Sequence, residues 1–244
     1  MKGNAIEVVD VWKMFRLYRE RSTMLKDAFI NIFHGGAKYD DFWALQGISF
    51  SVHKGESLGI IGRNGAGKST IFKLISGVLL PEKGEIFVNG RISPLIELEA
   101  GLHPELTGLE NIYLNGAIYG MSRQEVEKKL DEIIDFSGLC DFIYSPIRTY
   151  SSGMNARLGF SIAINVNADI LLIDEVLAVG DAEFQQRCFN KIHELKRKGA
   201  TIVYVSHNLK SVVDLCERAI WLDKGEVKME REPQGVVERY SKTV

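Results

Sequence analysis

Apolar residues fall along this chain in two alternating patterns. Residues 57–62 (SLGIIG), 169–173 (DILLI) and 201–206 (TIVYVS) are short runs without a polar face, suited to parallel strands covered on both sides. Elsewhere the apolar spacing lengthens to three or four. That spacing predicts helices over 69–75, 109–119, 155–166 and, as an amphipathic segment, 181–198. Ser122 followed by Glu125 forms a capping box that opens a further helix over 123–136. Residues 218–223 and 226–229 read as a hairpin around Lys224-Gly225, and 234–241 as a closing helix.

Strands alternating with helices predict an α/β chain. We expect one domain over residues 1–244, with a core from 1–96 and about 165–244 and a mostly helical insert over about 97–164. Residues 16–46 form a long link between the first two strands. Within it 16–26 is basic and 24–33 (MLKDAFINIF) carries an apolar stripe at helical spacing. That stripe suits either a surface helix packing inward or a contact element at a membrane face. No run of about 18 apolar residues occurs and the opening lacks a signal-peptide core, so the chain is expected to be soluble.

Composition narrows the classes. A 45% hydrophobic and 25% charged chain is ordinary for a globular protein with a good core. A formal net charge of −2 offers no basic field, so nucleic acid is not an expected partner. Three scattered cysteines, at 140, 188 and 216, suit a reducing compartment. The histidines at 34, 53, 103 and 193 lack metal-ligand spacing and read as structural.

The chemistry concentrates in four places. Residues 62–69 read GRNGAGKS, the spacing of a phosphate cradle between a strand and a helix. Gly62, Gly65 and Gly67 let the backbone curl so that N–H groups from Arg63, Asn64, Ala66 and the helix start at Lys68, Ser69 and Thr70 point at phosphates. Lys68 is placed to reach the β- and γ-phosphates and the Ser69 hydroxyl to ligate Mg²⁺. Asp174 and Glu175 lie where an apolar strand runs out, the end at which open α/β sheets bind ligands. Asp174 is placed to hold the Mg²⁺ shell and Glu175 to polarise water for in-line attack. His207 ends a second such strand and should share that sheet edge. Ser151, Ser152 and Gly153 precede a helical segment, where a capping serine leaves N–H groups and a hydroxyl for a γ-phosphate.

On these residues the chain resembles the nucleotide-binding subunit of an ABC transporter, along nearly its whole length. Residues 62–69 resemble the family's Walker A, 170–175 its Walker B with catalytic Glu175, 150–154 (YSSGM) its signature, Asp181 its D-loop aspartate and His207 its switch histidine. The resemblance implies a P-loop NTPase ABC ATPase fold, with a RecA-like core, an antiparallel β subdomain and a helical subdomain. It implies ATP and Mg²⁺ as cofactors, and a head-to-tail homodimer in which each ATP lies between one copy's Walker A and the other's signature. It also implies a multi-span membrane permease partner and a peripheral place on the cytoplasmic face of the inner membrane. For the family's Q-loop glutamine the candidates are Glu97 and Glu99, Glu97 the better match and a third metal candidate, and Phe15 stands nearest its adenine-stacking aromatic, with Tyr18 as substitute. The 16–46 link, the YSSGM signature and the 101–111 stretch (GLHPELTGLEN) resemble polysaccharide-export ATPases, those for O-antigen first, then teichoic acid and capsule. A soluble ABC ATPase acting on ribosomes or DNA, and a P-loop kinase or GTPase, fit less well. The first expects a second cassette or long coiled coil, the other lacks the signature helix.

Overall fold

The computed structural model describes residues 3–18, 39–95, 98, 101–174 and 180–243. Two sheets form the frame. Strands β1 (Asn4–Tyr18), β2 (Tyr39–His53) and β4 (Lys83–Val88) make an antiparallel sheet in the order β2-β1-β4. The second sheet contains β3 (Ser57–Ile61), β5 (Ile92–Leu95), β6 (Ile170–Ile173), β7 (Thr201–Val205), β8 (Arg218–Asp223) and β9 (Glu226–Arg231). Their order is β5-β6-β7-β3-β8-β9, parallel except for β9, which pairs antiparallel with β8. Among the described residues seven α-helices accompany them: α1 (Lys68–Ile75), α2 (Gly108–Ile118), α3 (Arg123–Ser137), α4 (Ser152–Ile164), α5 (Ala182–Arg197), α6 (Leu209–Leu215) and α7 (Pro233–Thr243).

The unbroken apolar runs have the expected physical cause. In β6, Ile170 and Leu172 pack into one core with Ile71 and Phe72 of α1, while Leu171 and Ile173 pack into another with Phe160, Phe184 and Ile192. Successive strand side chains point to opposite faces, and here both faces are covered, so no polar alternation survives. A third core holds α2, α3 and the segment leading to α4, centred on Ile112, Val126, Ile133, Leu158 and Ile162. Helix α4 supplies both, with Phe160 and Ala163 in the sheet's core and Leu158 and Ile162 in the helical one. Each fully buried leucine or isoleucine contributes about 1.5–3 kcal/mol, so this helix is the principal weld between the two. Among the described residues no helix is long and apolar enough to cross a membrane.

Two expectations change. The link of 16–46 is shorter than its sequence suggested, because β1 runs to Tyr18 and β2 starts at Tyr39, pairing residue for residue to the end of the ribbon. The 24–33 stripe lies outside the described residues. Helix α4 begins at Ser152 rather than Asn155, because Ser151 Oγ accepts from Met154 N at 3.2 Å and closes the first turn. Ser152 and Gly153 therefore belong to the helix's first turn.

Candidate functional site: a phosphate cradle at the carboxyl edge of the sheet

Three neighbouring parallel strands, β6, β7 and β3, end side by side, and the chain leaving each carries a candidate residue. Asp174 follows β6, His207 follows β7 by two residues, and Gly62 opens the loop after β3. A cleft of about 400 Å³ lies over this edge, lined by Asn64, Gly65, Gly67, Lys68, Ser69 and Thr70 on one side and by Asp174, Val205 and His207 on another. Its remaining wall is Phe15, Phe42 and Ala44 of the β1–β2 ribbon.

Local chemistry shapes the cradle. Gly65 and Gly67 take φ of 79° and 106°, left-handed values that side-chain-bearing residues avoid. A methyl at Gly67 would lie 2.7 Å from Ala44 O, whereas one at Gly65 would meet nothing within 4 Å. One glycine thus permits close packing and the other keeps space clear. The buried Lys68 curls back, its Nζ donating to Gly62 O at 2.7 Å and Arg63 O at 2.9 Å. Gly67 caps α1 without any side-chain hydrogen bond, so the helix directs its N-terminal amides and positive dipole end at the cleft. The β8–β9 turn braces the loop from behind: Lys224 and Gly225 are both left-handed, as a two-residue hairpin turn of the I′ type requires. Gly225 N donates to Ala66 O at 3.1 Å and Gly225 O accepts from Gln46 N at 2.8 Å. Gly62, Arg63 and Ala66 frame the cradle rather than line the cleft.

Glycines, a buried amine and a helix N-terminus are donor chemistry for a polyphosphate, and the open volume beside Gly65 accommodates one. For Mg²⁺ the fit is lean, as that ion prefers: Ser69 and Asp174 share the cleft, leaving most coordination to water and phosphate oxygens. Among the described residues no three His, Cys, Asp or Glu side chains cluster to hold a metal unaided. Glu97 and Glu175 lie outside the described residues.

Other candidates stand apart from this cleft. Ser151 caps α4 and is exposed with Ser152. Asp181 caps α5, its Oδ1 accepting from Phe184 N at 2.8 Å. Neither Ser151, Ser152, Gly153 nor Asp181 lines the cradle of its own chain. Tyr150 is buried, donating from its hydroxyl to Phe142 O at 2.6 Å, and serves the helical core rather than a ligand. Phe42 is the residue that sequence reasoning missed. It pairs across the ribbon with Phe15, and the two are 46% and 36% exposed, so both rings offer a face to the cleft. Only the register of two strands separated by an intervening segment reveals this pairing. A larger cleft of about 680 Å³ opens at the opposite, amino ends of the strands beside Lys54, Asn89, Asp169 and Lys198, and none of the motif residues lines it.

This arrangement defines a P-loop nucleotide-binding protein of α/β type. The family model for ABC transporters matches residues 45–178. The O-antigen export system ATP-binding protein RfbB of Klebsiella pneumoniae is 44% identical over 244 residues, covering 98% of each chain. The teichoic acids export ATP-binding protein TagH of Listeria innocua is 45% identical over 243 residues, all of this chain and 71% of the relative. The ABC transporter protein AbcA of Aeromonas salmonicida is 46% identical over 99% of this chain and 77% of its own. The solved ATP-binding subunit of an ABC transporter superposes with a TM-score of 0.76 over 97% of this chain and 93% of that one, at 24% identity, which shows the shared fold. The chain belongs to the ABC transporter family, has its ATPase fold, and is an ATP-binding, ATP-hydrolysing subunit.

Proposed function

We propose that this chain drives export of a lipid-linked polysaccharide, O-antigen first, as one of two identical ATPase subunits beneath a multi-span membrane permease, on the cytoplasmic face of the inner membrane. The observation that carries the nucleotide part is the convergence of Lys68, Ser69, Asp174 and His207 on one cleft at the sheet's carboxyl edge. The substrate class is supported by the near full-length likeness to an O-antigen export subunit. The teichoic acid exporter's subunit is as similar, so a teichoic acid is the second reading for the cargo.

In this proposal ATP lies with its base against Phe15 and Phe42 and its phosphates in the 62–70 cradle. Ser69 and Asp174, with Glu97 as a further candidate, would hold Mg²⁺, which would supply positive charge against the phosphates. Lys68 exchanges its loop carbonyls for phosphate oxygens, a charge-assisted bond about twice as strong as a neutral one. Glu175, the residue after Asp174, accepts a proton from the attacking water, and His207 donates a hydrogen bond to the γ-phosphate. The serine turn at Ser151–Gly153 and Asp181, absent from the lining of their own chain's cradle, complete the site of the second copy. ATP then draws the pair shut and its hydrolysis lets them part.

Analytical ultracentrifugation of Glu175→Gln tests the pairing. ATP should shift it to a dimer with little turnover while ADP leaves it monomeric; a monomer in ATP, or full turnover, refutes the proposal. For the cargo, expression in cells lacking an O-antigen exporter's ATPase should restore surface polysaccharide, and restoration of a teichoic acid exporter instead would select the second reading.

A further inference from the structure

Arg157 lies on α4 six residues beyond Ser151, a rise of about 9 Å along the helix. Its side chain touches both neighbouring helices. Nε donates to the carbonyl of Ser137, the last residue of α3, at 3.0 Å. Nη1 stands 3.8 Å from Asp181 Oδ2, and the guanidinium lies over the Phe184 ring at 5.1 Å from its centroid. Asp181 is therefore shared, with Oδ1 capping α5 and Oδ2 facing Arg157.

The surroundings are built for this side chain. A methyl at Gly138 would fall 2.5 Å from Arg157 Nη2, and one at Gly180 would lie 3.4 Å from its Cγ. Beneath it Phe136, Phe160 and Phe184, one from each of α3, α4 and α5, pack with centroids 5.7 Å to 6.1 Å apart. Arg187 echoes the arrangement from α5, donating to Asp135 O at 3.1 Å and covering Phe136 at 5.0 Å. Only a planar guanidinium can stack on a ring and donate in its own plane at once.

The Asp181 end of the clasp adds little to stability. Asp181 is 64% exposed and its contact with Arg157 is long, a pair of the kind that contributes little to folding. What the contacts do achieve is registration: α4, capped by Ser151, and α5, capped by Asp181, are held to one another through one residue.

We propose that Arg157 is a positioning residue that makes the Ser151 turn and the Asp181 cap of α5 move as one body, so that both meet the twin chain's nucleotide together. This rests on the paired-chain reading above. The rigid unit aligns two contacts with one ordering cost, which a pair of independently moving elements would incur twice.

Arg157→Met, Arg157→Lys and Asp181→Asn in the full chain test it, with the fluorescent analogue MANT-ADP reporting binding to the single chain. Arg157→Met should leave MANT-ADP affinity within about twofold. It should lower kcat about tenfold and raise by a similar factor the ATP needed to dimerise a Glu175→Gln background, within the range known for coupling residues. Arg157→Lys should recover part of the loss. Asp181→Asn, which keeps a competent cap, should still lose about threefold in kcat for want of the charge. Unchanged kcat and dimerisation in Arg157→Met overturn the proposal, as does a parallel fall of melting temperature, MANT-ADP affinity and kcat, which would mark a folding defect. Ser151→Trp, assayed alongside, separates the two readings. If it turns over normally, the paired site itself is wrong and the clasp falls with it; if it is dead while Arg157→Met is normal, only the clasp is wrong.

Discussion

Gly65 and Gly67 sit two residues apart in the same loop with the same handedness, yet alanine should harm them in opposite ways. Both substitutions force a side-chain-bearing residue into a left-handed conformation, at about 1–2 kcal/mol. At Gly65 that is the whole folding cost, because the added methyl meets nothing within 4 Å. At Gly67 the methyl lies 2.7 Å from both Ala44 O and Leu45 Cδ2. The atoms are backbone and a buried core leucine, so relief requires the β2 strand to move, adding about 1–3 kcal/mol of overpacking. Gly67→Ala should therefore lose about 2–5 kcal/mol of stability and Gly65→Ala about 1–2 kcal/mol. Ligand binding should rank them the other way per unit of stability lost. The open side of Gly65 is where a phosphate chain would pass, and a methyl there should weaken MANT-ADP binding at least about tenfold, roughly 1.4 kcal/mol. Urea denaturation gives the first quantity and fluorescence titration of the folded variants the second. If Gly65→Ala proves the less stable protein, or binds MANT-ADP as well as the parent does, the account of the cradle is wrong.

Three more outcomes follow from the same structure. Burial alone would raise the Glu56 carboxyl, but its hydrogen bonds from Arg218 and from His53 N, with the nearby positive charge, hold it below the usual carboxylate range. Its contribution is thus present above the unfolded carboxylate pKa of about 4.3 and is lost as pH falls through the lower folded value. Urea midpoints should show Glu56→Gln less stable than the parent at neutral pH and converging with it in acid; a constant gap would refute the assignment. Tyr150→Phe removes the hydroxyl bond to Phe142 O and should cost about 1 kcal/mol in urea denaturation without changing MANT-ADP affinity. Of the three cysteines Cys140 is exposed, whereas Cys188 and Cys216 are buried with thiols pushed up to about 12 by desolvation. A thiol reagent should titrate one group rapidly in the native protein and all three in urea.

Local rules carry far in this chain, and they fail where distance along the sequence intervenes. The capping box at Ser122 and Glu125 forms as written, with Ser122 Oγ accepting from Glu125 N and Glu125 Oε2 from Ser122 N. The Lys224-Gly225 turn and the three buried strands were equally legible, since each depends on residues within one turn or one strand. Helix α4 starts earlier than its apolar period implies, because the cap at Ser151 precedes that period. Phe42 escaped because its significance lies in facing Phe15, a fact about register that no local pattern encodes. Arg157 escaped likewise, reading in sequence as one more polar position on a helix.

By itself, then, the order of residues determined the three buried parallel strands, most of the helices and the phosphate cradle, whose geometry is dictated by glycine conformations and a helix start within eight consecutive residues. Tertiary structure alone decided which residues share the cleft and which are turned away from it. Strand order β6-β7-β3 brings Asp174 and His207 to the cradle, whereas packing of α4 between two cores carries Ser151 elsewhere. The physical reason is that hydrogen-bonded turns and caps are satisfied over a few residues, while the relative placement of strands and lobes is settled by burial of apolar faces drawn from the whole chain.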